Sequence, residues 1–149
     1  MELDPNFSEF IALLRAHDVR FLIVGGYAVA LHGHPRYTAD LDVWLAADHR
    51  NAEAVLQALD DFGFGELGLT SEDFTAADRV VQLGYPPLRI DLLTSIDGVE
   101  FDRAHQQRVE VEMGQLLAPF ISLADLRRNK EASGRLQDLA DLEALPEPD

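Results

Sequence analysis

Apolar residues recur at Phe7, Phe10, Ile11 and Leu14, the spacing of one helical face. Asp4-Pro5 precedes them, an N-cap side chain followed by a proline suited to the first helical position. This pattern predicts an amphipathic helix over roughly residues 5–17. Phe21 to Val24 is a continuous apolar run that reads as a short buried strand ending at Gly25-Gly26. Tyr27 to His32 reads as a short helix ended near Gly33, with a loop at His34-Pro35. From Asp40 to Leu45 the pattern alternates: Leu41, Val43 and Leu45 face one way, and Asp40, Asp42 and Trp44 the other. Helical spacing returns over residues 48–62 through Ala52, Val55, Leu56, Leu59 and Phe62, with Gly63 as the stop. Residues 63–77 read as a loop holding one helical turn. Arg79 to Tyr85 and Leu88 to Thr94 flank Pro86-Pro87 as an antiparallel hairpin, and Val109 to Met113 adds an edge strand. Ser122 with Asp125 resembles a capping pair. Helices follow over about 122–133 and 135–145, with Leu136, Leu139 and Leu142 on one face. The order predicts an α+β fold: a mixed β-sheet packed with helices, with a C-terminal helical segment on the same single domain, residues 1–149.

Composition narrows the classes. Hydrophobic residues make up 47% of the chain, enough for a core, and there is no cysteine for disulfides or thiolate metal sites. No apolar stretch reaches membrane-span length, and Met1-Glu-Leu-Asp-Pro lacks the features of a signal peptide, so the expectation is cytoplasmic and without a membrane. Twelve basic against 27 acidic side chains give a net charge of −15, which disfavours extended nucleic-acid binding. The basic residues Arg127, Arg128, Lys130 and Arg135 are concentrated in one segment. An RNA acceptor would need Arg127, Arg128 and Lys130 to form a local patch.

The candidate chemistry lies in Gly25-Gly26 and Asp40-Leu-Asp42. Side chains at i and i+2 of a strand share a face, so Asp40 and Asp42 form an oxygen-rich pair suited to a hard cation such as Mg²⁺. A glycine turn that opens a helix seats phosphate through free backbone N–H groups and the helix dipole. Asp91 lies in the second strand of the hairpin, on the face opposite Leu88, Ile90 and Leu92. If that strand adjoins the Asp40–Asp42 strand, three carboxylates converge and can hold two ions about 3.5–4 Å apart. Asp91 can then accept the nucleophile's proton.

With these residues in order, the chain resembles the nucleotidyltransferase superfamily of DNA polymerase β-like proteins. Its motif is an apolar residue, Gly-Gly or Gly-Ser, a spacer, Asp-x-Asp, and a third acid on a later strand. Here the spacer, Tyr27 to Ala39, is at the long end. Gly25-Gly-Tyr-Ala-Val-Ala-Leu-His-Gly, Arg36-x-Thr-x-Asp-Leu-Asp and Lys130-Glu-Ala-Ser-Gly-Arg-Leu-Gln-Asp are similar to the minimal bacterial branch, which includes abortive-infection and toxin-type members. The resemblance implies metal-dependent transfer of a nucleoside monophosphate from a nucleoside triphosphate such as ATP to a protein, RNA or small-molecule hydroxyl. It implies metal ligation by Asp40, Asp42 and Asp91, with Mg²⁺ or Mn²⁺ as the ion and Asp91 also the base. It implies triphosphate cradling by Gly25 and Gly26, a Lys130 contact to the β- or γ-phosphate, and phosphate or second-substrate contacts from Arg36 and Thr38. A partner protein or a second subunit would complete the site.

Other readings stand beside these. Asp91 can be a surface partner of Arg89, and Lys130 and Arg135 can be helix-surface cations. Arg135 and Asp138 can pair across one helical turn, with Gly134 ending the preceding helix. His32 and His34 with the two aspartates offer a zinc site, disfavoured because the two histidines span a glycine turn; His32 otherwise packs at its helix end or touches nucleotide. Trp44 can stack on a base or plug the sheet edge. The alternative function is a non-catalytic nucleotide- or partner-binding module, such as one half of a toxin–antitoxin pair.

Overall fold

The computed structural model describes residues 3–33, 38–85 and 88–148. Its strands are β1 (Phe21–Val24), β2 (Asp40–Leu45), β3 (Val80–Tyr85), β4 (Leu88–Leu93), β5 (Val109–Met113) and β6 (Leu116–Phe120). They form one mixed sheet in the order β3-β4-β2-β1-β6-β5. Helices α1 (Pro5–Ala16), α2 (Gly25–His32), α3 (His49–Leu59), α4 (Phe101–Gln106), α5 (Leu123–Ser133) and α6 (Leu136–Ala144) are interleaved with the strands. The α+β class with a mixed sheet is as the sequence pattern predicts.

Local chemistry accounts for most boundaries. The Asp4 carboxylate accepts from Asn6 N at 2.8 Å, and α1 buries Phe7, Phe10, Ile11 and Leu14. Burying side chains of this size contributes roughly 1.5–3 kcal/mol each. Asp48 caps α3 by accepting from Asn51 N at 2.8 Å. The buried Asn51 side chain accepts from Arg20 N and donates to the Arg20 and Ala46 carbonyls, tying the start of β1 to the end of β2. After α3 the helix widens over Asp60–Phe64, where Gly63 at φ +100° breaks it. Single turns at Gly65–Leu67 and Ser71–Phe74 occupy the stretch read as loop. Tyr85 pairs with Leu88 across the expected hairpin; Pro86 and Pro87 lie outside the described residues.

Two elements escape the sequence pattern. The six-residue α4 is too short for a periodic signal. Strand β6 contains Pro119, which argues against an interior strand. The strand tolerates it because its pairing divides, antiparallel to β5 along its length and parallel to β1 only at Ile23↔Phe120. Helix α2 starts at Gly25 rather than Tyr27, so the glycines form its first turn.

The C-terminal helices α5 and α6 form where the sequence pattern predicts them. Leu136 and Leu139 do share a face of α6, but it is turned outward, and Leu136 is 88% exposed. The buried face carries Asp138 and Asp141. Lys130 of α5 is buried between them at 3.2 and 3.1 Å, so it is not a helix-surface cation. Among the described residues no helix is long and apolar enough to cross a membrane.

Candidate active site

Strand pairing brings the acids together. β2 and β4 are parallel neighbours, with Asp42 opposite Asp91 and Asp40 opposite Arg89. In-register residues of parallel strands project to the same face, so Asp40, Asp42, Arg89 and Asp91 form one polar block. The condition set for Asp91, that its strand adjoin the Asp40–Asp42 strand, is met. On the other side β1 runs antiparallel to β2 with Val24 opposite Asp42, which carries the Gly25-Gly26 turn to the same place.

The glycine turn is closely fitted to the acid. Gly25 has φ +67°, and a Cβ there would lie 2.0 Å from Asp42 Oδ2. A side chain at this position would therefore displace Asp42, and the left-handed backbone itself favours glycine. Val24, the residue before α2, makes no side-chain cap, so the helix's first turn keeps backbone donors for an anion.

The electrostatics of the block are unbalanced. The Asp42 pKa is pushed up to about 7, first by burial and then by the charges of Asp91 and Asp40; a hydrogen bond with Asp91 adds to this, and Lys130 opposes it. Arg89 Nε donates to Asp91 Oδ1 at 2.9 Å, and its Nη2 donates to Asp91 Oδ2 at 3.1 Å and Asp40 Oδ2 at 3.0 Å. The Arg89–Asp91 pair read from sequence is present, but it lies inside the carboxylate block, and Asp91 is buried.

All-oxygen donors on one face, at adjacent register positions beneath a glycine turn, suit a hard divalent cation in chemistry and placement. Among the described residues no three His, Cys, Asp or Glu side chains enclose an ion as they stand. Asp40 is directed to the Arg89 guanidinium, so it has to turn to join a shared site.

A cleft of about 220 Å³ opens beside this face, lined by Asp42 but not by Asp40, Arg89 or Asp91. Its walls include Gly25, Asp42, Ser95, Asp97, Asn129 and Lys130. The turn after β4 is fastened to α5, which closes the cleft: Asn129 Nδ2 donates to Asp97 O at 3.0 Å and Ser133 Oγ to Asp97 Oδ2 at 3.1 Å. Ser95, Asp97 and Asn129 were not singled out from sequence. Ser95 and Asp97 had a usable signal, since they follow the carboxyl end of the Asp91 strand. A larger hollow of about 420 Å³ lies at the opposite end of β1, beside His17, Arg20 and Asp48. Its Arg20 is already held by Asp48 at 2.6 Å and Asp102 at 3.0 Å.

The remaining sequence candidates divide. Lys130 lines the cleft and its charge reaches Asp42, while its ammonium is held by two carboxylates. Thr38 donates its hydroxyl to the Asp40 carbonyl at 3.2 Å, which supports the strand entry. Arg36 and His34 lie outside the described residues. His32 Nε2 donates to the Ile121 carbonyl at 2.7 Å, a packing role at its helix end. Trp44 is buried against Phe101 with ring centroids 5.1 Å apart, so it is not placed to stack on a base. It does not plug a sheet edge either, because β2 is interior. The basic segment forms no free patch. Arg127 donates to the carbonyls of Leu142, Leu145 and Pro146, Arg128 pairs with Asp125, and Arg135 pairs with Asp138 as anticipated.

Residues 3–145 match the family described as "Nucleotidyltransferase of unknown function (DUF6036)". No curated protein matches the chain. The structure is similar to a candidate nucleotidyltransferase from Thermotoga maritima, with TM-score 0.62 and 16% identity over 92% of this chain and 88% of that one. It is also similar to the lincosamide antibiotic adenylyltransferase LnuA with lincomycin bound, with TM-score 0.57 and 15% identity over 96% of each chain.

Proposed function

Because the chain belongs to the nucleotidyltransferase family that its residues 3–145 match, we propose that it moves a nucleoside monophosphate from a nucleoside triphosphate to a hydroxyl acceptor, with Mg²⁺ or Mn²⁺ bound by Asp40, Asp42 and Asp91. The observation that carries this reading is the placement of Asp42 opposite Asp91 with Gly25 pressed against Asp42. The first-turn N–H groups at Gly25-Gly26 hold the triphosphate, aided by the helix dipole. Lys130 adds positive charge from the α5 wall of the cleft. Asp91, whose side chain is 11% exposed against 38% for Asp40, accepts the proton of the attacking hydroxyl. A divalent ion held by these acids would supply charge neutralisation on the triphosphate and a lowered pKa for the attacking oxygen.

The acceptor is a small-molecule or protein hydroxyl. The net charge of −15 and the pairing of Arg127, Arg128, Lys130 and Arg135 with carbonyls or carboxylates leave little to attract an RNA backbone. The test is pyrophosphate release from each nucleoside triphosphate with Mg²⁺, followed by mass measurement of cellular proteins, metabolites and RNAs for one added nucleoside monophosphate. The Asp40→Asn/Asp42→Asn double variant should keep its circular dichroism spectrum and lose at least about a hundredfold in rate. Full activity in that variant overturns the mechanism. Nucleotide binding by calorimetry with no product across varied acceptors would favour a binding module.

A further inference from the structure

We propose that Arg89 is the resident cation of the ion-free site, bridging Asp40 and Asp91 until a divalent ion displaces it. The inference rests on the reading of Asp40, Asp42 and Asp91 as metal ligands. Alternation along β4 puts Arg89 and Asp91 on one face, and the β2–β4 register sets them opposite Asp40 and Asp42. The four side chains form a square in which a single corner is cationic. The guanidinium contacts Asp91 Oδ1, Asp91 Oδ2 and Asp40 Oδ2, which is three of the six oxygens of the carboxylate trio. These are oxygens that a divalent ion needs.

The planar fork of arginine suits this task. It grips both oxygens of Asp91 while one of the same nitrogens also reaches Asp40, a geometry that the point charge of lysine cannot reproduce. The contact explains why Asp40 is turned away from a shared ion position. The Arg89 side chain is 29% exposed, so it borders open solvent into which it can swing. Arg89 thus limits repulsion among the acids before loading, and competes with the first ion during it.

Binding of Mn²⁺ without nucleotide, followed by the electron paramagnetic resonance signal of the free ion, tests this in wild type, Arg89→Gln and Arg89→Lys. Removing the competitor should tighten Mn²⁺ binding about tenfold in Arg89→Gln. Arg89→Lys keeps the charge but loses the fork, and should tighten binding about threefold. Tightening in Arg89→Gln with wild-type affinity in Arg89→Lys would reduce the effect to charge alone and overturn the bridging claim. Equal affinity in all three proteins would overturn it as well, while leaving the metal site in place. Absence of Mn²⁺ binding in every protein would instead remove the metal reading on which the inference rests. In wild type, the Arg89 Nε–H resonance should shift and exchange faster as Mg²⁺ is added; a resonance unmoved at saturating ion overturns displacement, independently of any variant's folding.

Discussion

The charged cluster on the α5–α6 contact and the one on the β2–β4 face are built differently. On the α5–α6 contact, Lys130 sits between Asp138 and Asp141, Arg135 adds a second cation on Asp138, and the Gln137 amide donates to Asp141 at 2.9 Å. Two cations face two anions. Burial raises the Asp138 pKa, but the hydrogen bonds from Arg135 and Lys130 outweigh it and hold the carboxyl below its ordinary value. On the β2–β4 face, three carboxylates have one guanidinium within contact, and Asp42 is driven up to about 7. A balanced cluster needs no added ion to offset its charge. An acid-rich cluster is incomplete, and the remaining charge is what a divalent ion can satisfy.

The sharpest break between the two regions is in their response to pH. Folded Asp42 titrates at about 7, and an unfolded aspartate near 3.9. Between those values the folded state holds the extra proton, so ion-free stability is greatest near the acid end of this window and falls as pH rises towards 7. The loss is at most about 4 kcal/mol. Urea unfolding in chelator should show this slope in wild type and lose it in Asp42→Asn; equal slopes would break the contrast. Asp138 has the opposite sign: its lowered pKa gives stability that is present above the unfolded pKa and disappears as pH falls through the folded one.

Next in size is the balanced cluster itself. Lys130→Met removes the cation that two buried carboxylates share and should cost about 3 kcal/mol in urea unfolding. Adding Asp138→Asn and Asp141→Asn should recover part of that loss, whereas a neutral Lys130→Met would show that the pair contributes little. Gly25→Ala should cost about 2 kcal/mol in thermal melts through its left-handed backbone and the displaced Asp42. It should also weaken nucleotide binding; wild-type melting and binding together would show that the turn does not constrain Asp42. The smallest effect belongs to Leu136→Gln, which should stay within about 0.5 kcal/mol because the side chain is 88% exposed. A larger loss would mean that the outer face of α6 is covered in solution.

The elements that were legible from the pattern are those whose signal is local. The α1 stripe of Phe7, Phe10, Ile11 and Leu14, the Asp4 and Ser122 caps, and the alternation through Asp40–Leu45 each operate within a few residues. The acids at Asp40, Asp42 and Asp91 could be singled out because their strands announce a polar face. Strand β6 could not be read because its pairing depends on β1, about a hundred residues earlier in the chain, and its Pro119 points the other way. Arg89 could be read as a partner of Asp91, but its contact to Asp40 depends on a neighbour 49 positions away. The leucines of α6 could be read as sharing a helical face, but a shared face does not reveal which way it points.

Sequence alone determined the helix stripes, the glycine turn and the identity of three acids, because backbone periodicity and side-chain chemistry are properties of short segments. Only the tertiary structure decided that Asp42 lies opposite Asp91, that Gly25 is pressed against Asp42, and that Lys130 is enclosed by Asp138 and Asp141. Strand order and helix rotation are set by the burial of the whole core at once, and no segment carries that information by itself.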